Sequence, residues 1–435
     1  MASQRVKGAT VMLTVASLVT LSACSGSGDS GGSSSDGKPV TVQFWGSAVG
    51  LDKSVALWNK SHPGIKVKYS QIPAGSIGGY AKMQNAVKAG NAPCLGQVGY
   101  DTLSNFISTG TLEDISKYAD TSKDKFVPWT WQMSSVGGQV FGIPVDTGPM
   151  ALYYRSDLFK KYKISPPKTW DDFAAAAQKV HTADPSAYLT TTPQDAYDLG
   201  ALTWQAGGKW FGTANDRWQV TIDNPQTSKV SQYWQGLLDK KLVTSEPMLD
   251  TAWFKKVQDG QLLSLVTAVW AAPLISKNLP ELSGKWAVAP MPQWTPGQQA
   301  AGNRGGSATV VLKGCEHPEE ATEFATWLST DTDSVTSLIK NTGIYPAATS
   351  GQNLPAVDQP SAYFGGQNIY DVFKTAAANT STGWVWGPTM SQVQSDMKDG
   401  LKKAGAGQGT IPNAVTSVQD STVDAMKSQG LSVGN

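Results

Sequence analysis

Alternation of apolar and polar residues predicts two strands near the start of the folded chain. Residues 40–45 place Val, Val and Phe on one face and Thr, Gln and Trp on the other, which is the period of a strand that buries one face. Residues 65–70 repeat this alternation, and the stretch between, about 51–61, is predicted as a helix that ends at the His-Pro-Gly of 62–64. Strand, helix and strand at this spacing predict a parallel, right-handed βαβ unit.

The strand and helix pattern continues into an open sheet. A second helix, at about 79–89, leads through Gly-Asn-Ala-Pro to an extended run at 95–100. In open α/β sheets, ligands lie outside the carboxyl ends of the strands. Trp45, Ser47 and Asp101 are therefore candidate ligand contacts. The alternative is that each is a packed aromatic residue or a helix N-cap.

Residues 138–170 contain a double extended segment. Gly142, Pro144, Gly148 and Pro149 exclude a helix in its first half, so this half is predicted as extended chain broken by a bend. Alternation at 150–154 predicts a second extended run, and Thr169 offers an N-cap for the helix that follows. We expect this segment, with the carboxylate of Asp146 between its Gly/Pro breaks, to cross between two lobes.

Helical patterns dominate the later chain, and several tryptophans there lie beside Gly or Pro. In the helical run 196–204 the apolar residues share one face, and Trp204 points off that face before Gly-Gly stops the helix. Trp204 could line a pocket or pack against a neighbouring helix. Trp384 and Trp386 lie in a Gly/Pro-rich loop with little opportunity to join a core. We expect at least one of them to contact a ligand.

The segment Asn-Arg-Gly-Gly-Ser at 303–307 precedes a further predicted strand at 309–312. Arg304 and Gly305 belong to this segment, where glycines allow backbone N–H groups to approach a ligand. Both are candidate ligand contacts. The helix after the strand is predicted to begin at Pro318, which is followed by two glutamates in the first turn.

The N-terminus has the features of a secretory leader. Two basic residues precede an uncharged run at about 9–20, shorter than the roughly 20 apolar residues that span a bilayer. The run ends in Leu-Ser-Ala-Cys, which looks like a lipobox, so residues 1–23 are predicted to be a lipoprotein signal peptide and Cys24 to carry lipid. An ordinary leader with a chance cysteine is the alternative. The Gly/Ser-rich residues 24–38 predict a tether, and the folded body would be extracytoplasmic and anchored to the cell membrane.

Length, charge and motifs narrow the function classes. The remaining chain, on the order of 400 residues, is long for one hydrophobic core and predicts two lobes. A net charge of +1 leaves no electrostatic case for nucleic acid. The three histidines lie far apart, and no metal-binding motif occurs, so neither a metal nor another cofactor is expected. The GDSGG at 28–32 matches a hydrolase nucleophile pattern, but the tether offers no strand and helix to support it.

Four stretches give the chain a resemblance to a known family. They are HPGIKVKY (62–69), GNAPCLGQVGYD (90–101), the segment 138–170 and PEEATEFATWLSTD (318–331). In order and spacing they resemble the extracellular solute-binding proteins of bacterial ABC importers, in particular the branch that binds sugars. The resemblance implies a two-lobed α/β fold of the periplasmic-binding-protein type II, with lobes joined by three crossovers.

The resemblance also implies the course of the chain. After the first crossover, a second is expected at 286–292 and a third at 343–346. The run 262–270 resembles a buried strand of the family, and its last residue, Trp270, is a further candidate ligand contact. The expected lobes are 39–145 with 291–344 for lobe 1, and 146–290 with 345–435 for lobe 2.

The function implied by the resemblance is sugar capture without catalysis. The lipoprotein would bind a sugar, expected to be an oligosaccharide, between its lobes and deliver it to a membrane permease, acting as a monomer. Tryptophans would stack on the sugar, while Asp101, Asp146, Arg304 and the amides near Gly305 would pair with its hydroxyls. The alternatives are a surface glycoside hydrolase that uses Asp101 and Asp146, or a binding protein for a polyol or a peptide.

Two cysteines remain once Cys24 is lipidated. The crossovers expected from the resemblance place both in lobe 1, and cysteines of exported chains readily pair. We therefore predict a disulfide between Cys94 and Cys315.

Overall fold

A computed structural model describes residues 39–434 of the chain. The predicted signal peptide (1–23), the predicted lipidation site Cys24 and the predicted tether (24–38) lie outside the described residues. In the part of the chain that the structure describes, no helix is both long enough and apolar enough to cross a membrane.

Strands and helices alternate at first, and helices then dominate. The strands are β1 (Val40–Gly46), β2 (Ile65–Gln71), β3 (Leu95–Gly99), β4 (Ser135–Val136), β5 (Gln139–Val140), β6 (Gly142–Arg155), β7 (Phe211–Ala214), β8 (Arg217–Val220), β9 (Ser264–Ala268), β10 (Trp286–Ala289), β11 (Asn303–Val311) and β12 (Tyr345–Pro346). The α-helices are α1 (Leu51–Ser61), α2 (Gly79–Lys88), α3 (Tyr100–Ser108), α4 (Ser116–Ala119), α5 (Pro128–Met133), α6 (Ser156–Lys161), α7 (Trp170–Ala183), α8 (Ala196–Gln205), α9 (Pro225–Asp239), α10 (Thr251–Gln258), α11 (Ala271–Asn278), α12 (Pro318–Thr330), α13 (Thr332–Thr342), α14 (Ile369–Ala378), α15 (Met390–Gly405) and α16 (Ile411–Ser428).

β1, α1 and β2 form the predicted parallel βαβ unit. β1 pairs in parallel with β2 over seven residue pairs, and β3 joins the other side of β1. Val42 and Phe44 are fully buried, and Trp58 of α1 packs edge-on against Phe324 of α12 with ring centroids 5.4 Å apart. The apolar face seen in the sequence is therefore the face that the helices cover, as predicted.

The main sheet is organised around β6. The strand order is β10-β6-β11-β3-β1-β2, and β9 and β12 also pair with β6. The first part of β6 pairs with β11 and β12, whereas residues 150–155 pair with β9 and β10. One strand therefore serves both lobes, which confirms the crossover expected of this segment.

β6 is one continuous strand of 14 residues, whereas the sequence predicts extended chain broken by a bend. Its two prolines cannot donate hydrogen bonds to a neighbouring strand, so prolines in sheets occur at edges or irregularities. Pro149 lies opposite Asn303 and Pro144 opposite Ala308, and the ladder with β11 shifts register beside each of these pairs. The irregular ladder accommodates the prolines without interrupting β6.

Three hydrophobic clusters show how the lobes are packed. The first joins β1, β2, α1, α12 and α13, and the second joins β9, α10, α11, β10 and α14. The third extends from α3 to α7, α8, α9, α15 and α16, so the lobes are in contact. The chain has the two-lobed α/β fold that the resemblance implies.

The second crossover differs in position from the expected one. The resemblance implies a crossover at 286–292, but β10 pairs with residues 152–155 of β6, on the same half as β9. β11 instead runs along the first half of β6 and pairs with β3, so β11 returns the chain to lobe 1. An extended pattern does not reveal which half of β6 a strand joins. The third crossover is β12, which pairs with Asp146 and Thr147, and the lobe boundaries stay predictions.

The start of α7 is the one predicted from the sequence. Thr169 Oγ1 accepts a hydrogen bond from Asp172 N (3.0 Å), and Thr169 N donates to Asp172 Oδ2 (3.0 Å). This reciprocal pair satisfies backbone donors that the first turn of a helix leaves free. It defines where the chain turns from β6 and α6 into the helices of lobe 2.

A disulfide joins Cys94, just before β3, to Cys315, just after β11. The two Cα atoms are 4.6 Å apart, although the residues are separated by 221 positions in the sequence. β3 and β11 are neighbouring antiparallel strands, so the bond links chain segments that the sheet already holds together.

Candidate functional site

A cavity of about 620 Å³ lies between the two lobes. This volume is within the range of about 300–1,000 Å³ that is typical of small-molecule sites. The ends of β1 and β3 contribute to its wall, as do β6, β11, the first turn of α3 and α11. Six of the residues predicted from the sequence line the cavity, namely Ser47, Asp101, Asp146, Trp270, Arg304 and Gly305.

Gln97 of β3 forms hydrogen bonds with two neighbouring segments, the loop after β1 and strand β11. Its Oε1 accepts hydrogen bonds from the backbone N–H groups of Ser47 (3.1 Å) and Ala48 (3.2 Å), and its Nε2 donates to Ser307 Oγ (3.3 Å). Gln97 therefore positions the loop after β1 against β11. This role was not predictable from the sequence, because a single glutamine in a short strand has no distinguishing pattern.

Asp101 lies in the first turn of α3, directly after β3. Thr102 Oγ1 donates a hydrogen bond to its carboxylate (3.0 Å), and Tyr80 Oη accepts one from Gly99 N (2.8 Å). A Cβ atom on Gly99 would lie 2.7 Å from Asp101 Oδ1 and 2.9 Å from Tyr80 Oη. Glycine therefore allows both side chains to approach the backbone here. Burial raises the pKa of Asp101 to about 6.

Asp146 lies near the middle of β6 and is 7% exposed. Ser307 Oγ, on β11, donates a hydrogen bond to its carboxylate (2.6 Å). Burial raises the pKa of Asp146 to about 6. An ionised carboxylate accepts about four hydrogen bonds, so Asp146 has capacity left for a ligand in the cavity.

Arg304 links β11 to α8 and to Trp270, which directly precedes α11. Its guanidinium donates to Asp198 through Nε and to Asp195 at 3.5 Å, and Asp195 also caps α8 by accepting from Asp198 N (2.8 Å). The guanidinium lies 5.0 Å from the centre of the Trp270 ring, whose Nε1 donates to the Arg304 carbonyl oxygen (3.0 Å). The charge of Arg304 is therefore engaged by protein groups before any ligand arrives.

Gly305 and Gly306 lie within β11, where its ladder with β6 shifts register, and not before the strand as the sequence predicts. Their φ angles are 85° and 87°, in the left-handed region that favours glycine. A Cβ atom on Gly306 would lie 2.9 Å from the carbonyl oxygen of Asp146. This irregularity brings the backbone of β11 close to β6, with Gly305 at the cavity wall.

The other four predicted contacts, all tryptophans, are not among the described residues that line this cavity. Trp204 is 2% exposed and stacks on Trp384, with ring centroids 5.1 Å apart. The Gly/Pro loop does not expose its tryptophans, because Trp210 packs against both of them. The geometry indicates a packing role, and ligand contact stays a prediction for these residues. They are Trp45, Trp204, Trp384 and Trp386.

Several residues that line the cavity were not predicted from the sequence. Asp195 had a recognisable signal, since an aspartate directly before a helical pattern is a typical N-cap. Tyr80 and Tyr197 had no such signal, because aromatic residues in helices usually belong to the hydrophobic core. No group of three or more His, Cys, Asp and Glu that could hold a metal ion occurs within residues 39–434. The lining residues that were missed include Tyr80, Gln97, Asp195, Tyr197 and Ser307.

We expect Asp146→Asn to stabilise the ligand-free protein at pH 7. The pKa of Asp146, about 6 in the folded state, is above its ordinary value of 3.8, so ionisation disfavours the folded state. The carboxyl of Asp146 therefore stabilises the folded state fully below pH ~4, and this contribution is lost as the pH rises through ~6. At about 1.4 kcal/mol per pH unit, the variant should gain about 2–3 kcal/mol at pH 7 and nothing near pH 4.

Urea unfolding at the two pH values measures this gain. Asp216→Asn, at an exposed turn between β7 and β8, removes the same charge and should leave stability almost unchanged. A gain for Asp146→Asn that is equal at both pH values would contradict the assignment of the effect to a buried, ionised carboxyl.

Comparison with known proteins places this geometry in a family. The model of the family "Bacterial extracellular solute-binding protein" matches residues 45–333. An arabinooligosaccharide-binding protein of Bacillus subtilis is 27% identical over 277 residues, which cover 61% of this chain and 63% of that relative. An arabinooligosaccharide-binding protein of Halalkalibacterium halodurans is 23% identical over 394 residues, which cover 83% of this chain and 87% of that relative.

Solved structures show the same fold. The galacto-N-biose-/lacto-N-biose I-binding protein of an ABC transporter from Bifidobacterium longum is 32% identical, with a TM-score of 0.83 over 92% of this chain and 100% of that chain. An ABC transporter associated binding protein from B. animalis subsp. lactis, solved with β-1,6-galactobiose, is 29% identical, with a TM-score of 0.83 over 91% of this chain and 100% of that chain. With a family model that matches most of the chain and a two-lobed fold around one cavity, the chain belongs to the bacterial extracellular solute-binding proteins, which act outside the cytoplasm.

Proposed function

We propose that the protein captures an oligosaccharide in the cavity between its lobes and delivers it to the permease of an ABC importer. The observation that carries this proposal is one cavity that combines the carboxylates of Asp101 and Asp146 with the rings of Tyr80, Tyr197 and Trp270. Sugar hydroxyls pair with such acceptors, and the C–H faces of sugars pack on aromatic rings. Relatives named for arabinooligosaccharide, lactose and lacto-N-biose binding support the ligand class.

The proposal includes release of the sugar unchanged. Members of the family and the structural neighbours are transport proteins, which supports binding without turnover. The carboxylates of Asp101 and Asp146 would act as hydrogen-bond acceptors, since hydroxyl groups of the protein already donate to each of them.

Calorimetry and chromatography test the proposal together. The protein lacking residues 1–24 is titrated with lactose, lacto-N-biose, β-1,6-galactobiose and arabinotriose. We expect at least one of them to bind with a Kd near micromolar, which corresponds to about −8 kcal/mol. We expect Asp101→Asn and Asp146→Asn to weaken binding at least about tenfold through the loss of a charged acceptor. Chromatography after long incubation should recover the intact sugar.

Two results would overturn the proposal. Cleaved sugar from the native protein, with cleavage lost in Asp101→Asn or Asp146→Asn, would indicate a glycoside hydrolase. Binding of a polyol or a peptide, with none of any saccharide, would identify a solute of another class.

The lipid anchor is proposed from the sequence alone. We expect the mature protein to begin at Cys24 and to carry lipid on it, because the leader ends in a lipobox-like Leu-Ser-Ala-Cys. Mass spectrometry of the N-terminal peptide from membrane-bound protein measures this modification. An unmodified Cys24, or any residue upstream of it, would show that another signal holds the protein at the membrane.

Closure of the lobes on the sugar should be visible in solution. We propose hinges in the crossing strands, at residues 142–148 of β6, at 303–306 of β11 and at β12. A ligand that contacts both lobes binds the closed form better and shifts the population toward it. Small-angle scattering should give a smaller radius of gyration at saturation and a mass of one chain. An unchanged radius with bound sugar would place the whole site within one lobe.

A further inference from the structure

The cavity has a local excess of negative charge. Of the Lys, Arg and His residues within 39–434, Arg304 and Lys277 line it. Three carboxylates also line it, and a fourth, Asp198, is bonded to Arg304. Four carboxylates and two cations give a formal charge of −2, whereas the whole chain carries +1. The three lining carboxylates are Asp101, Asp146 and Asp195.

Neither cation is well placed to receive an acidic ligand. Arg304 is bonded to Asp195 and Asp198, and it stacks over Trp270 at 5.0 Å. A ligand carboxylate that bound the remaining N–H groups of Arg304 would lie close to the carboxylates of Asp195 and Asp198, and like charges repel strongly where water is excluded. Lys277 is exposed on α11, where water and salt screen its charge.

Neutral donors use only part of the hydrogen-bonding capacity of Asp101 and Asp146. Asp101 accepts from the hydroxyl of Thr102, and Asp146 accepts from the hydroxyl of Ser307. A sugar hydroxyl or a ligand ammonium group supplies the further protons that these carboxylates can accept. An ionised carboxylate or sulfate supplies none, and two like charges repel strongly where water is excluded.

We propose that the cavity selects its ligand by charge, and that Asp101, Asp146 and Asp195 exclude acidic saccharides, such as those with uronate, sialic acid or sulfate groups, while admitting neutral ones. This inference rests on the proposed sugar-binding function. It adds a class of sugars that the site rejects, and it names the residues responsible.

Calorimetry with matched neutral and acidic probes tests the inference. The protein lacking residues 1–24 is titrated at pH 7.5 with lactose, lacto-N-biose, β-1,6-galactobiose and arabinotriose. The acidic probes are lactose 3′-sulfate, 3′-sialyllactose and digalacturonate. At least one neutral probe should bind, and every acidic probe should bind at least about tenfold more weakly than the best neutral one.

The possible results separate the two proposals. An acidic probe that binds as tightly as the best neutral probe overturns the charge selection and leaves sugar binding intact. Binding of no probe in the panel overturns sugar binding and the selection together.

Variants distinguish repulsion by charge from steric exclusion. In Asp101→Asn and Asp146→Asn, the ratio of neutral to acidic affinity should fall at least about threefold, because each change removes one repelling charge. Asp216→Asn, which removes an exposed charge outside the cavity, should leave the ratio unchanged. If the ratio also stays unchanged in both cavity variants while acidic probes remain excluded, the exclusion is steric and the inference is wrong. Thermal unfolding of each variant verifies that it is folded.

Discussion

Arg304→Met is expected to lower the free energy of unfolding by about 3–5 kcal/mol, because it leaves buried carboxylates without their counter-charge. The side chain of Arg304 is 18% exposed, and those of Asp195 and Asp198 are 16% and 5% exposed. Solvent therefore compensates little for the lost ion pairs. Urea unfolding at pH 7 measures the change. The loss of stability should be smaller at acidic pH, because Asp198 can then take up a proton and no longer needs a counter-charge.

A combined variant separates unpaired charge from lost packing. Adding Asp195→Asn and Asp198→Asn to Arg304→Met removes the stranded carboxylates, so the triple variant should recover most of the lost stability. If the triple variant is less stable than Arg304→Met alone, the main contribution of Arg304 is its packing on Trp270 and not its charge.

Replacement of both Cys94 and Cys315 by Ser is expected to destabilise the protein by up to about 5 kcal/mol. The disulfide spans 221 positions, and the chain-entropy model gives about 5 kcal/mol for a loop of that length, with about 2–4 kcal/mol measured for typical bonds. The fold should persist, because β3 and β11 stay paired by their backbone hydrogen bonds. Urea unfolding without reductant, on protein lacking residues 1–24, measures the loss.

Reduction of the native protein is the matched control. Native protein in excess reductant should unfold at the same urea concentration as the double-serine variant, and reductant should leave the variant unchanged. If reductant does not alter the unfolding of the native protein, and alkylation labels both thiols without it, the bond is absent from the exported protein.

The acidic cavity has a consequence for stability as well as for ligand choice. Asp101 and Asp146 both have pKa values raised to about 6 by burial, so each is held ionised at neutral pH against a free-energy cost. Functional sites commonly keep such unfavourable groups because the ligand needs them. Bound sugar should therefore stabilise the native protein more than it stabilises either Asn variant.

Local features of the chain were predictable because they depend on neighbouring residues. Alternation of side chains specified the pairing of β1 with β2, and Thr169 specified the start of α7. Ser47 and Asp101 were identified as cavity residues because each follows a strand of a parallel sheet, whose carboxyl ends meet at one edge. Arg304 and Gly305 were found through the two adjacent glycines, Gly305 and Gly306.

Contacts between distant residues were not predictable in this way. The Gly/Pro loop around Trp384 and Trp386 reads as exposed, yet Trp204 and Trp210 pack against it from other parts of the chain. The partners of Arg304 lie 106 and 109 positions away, so no local pattern connects them.

By itself, therefore, the sequence determined the α/β class, the first βαβ unit and the extended chain of β6, because each follows from side-chain periodicity or from the positions of Gly and Pro. It also identified four polar residues of the cavity, namely Ser47, Asp101, Asp146 and Arg304. The tertiary structure decided that β11 makes the second crossover, that the tryptophans stack in a core and that Arg304 is neutralised by Asp195 and Asp198. The physical reason is that strand partners, burial and ion pairs depend on which distant segments the folded chain brings together.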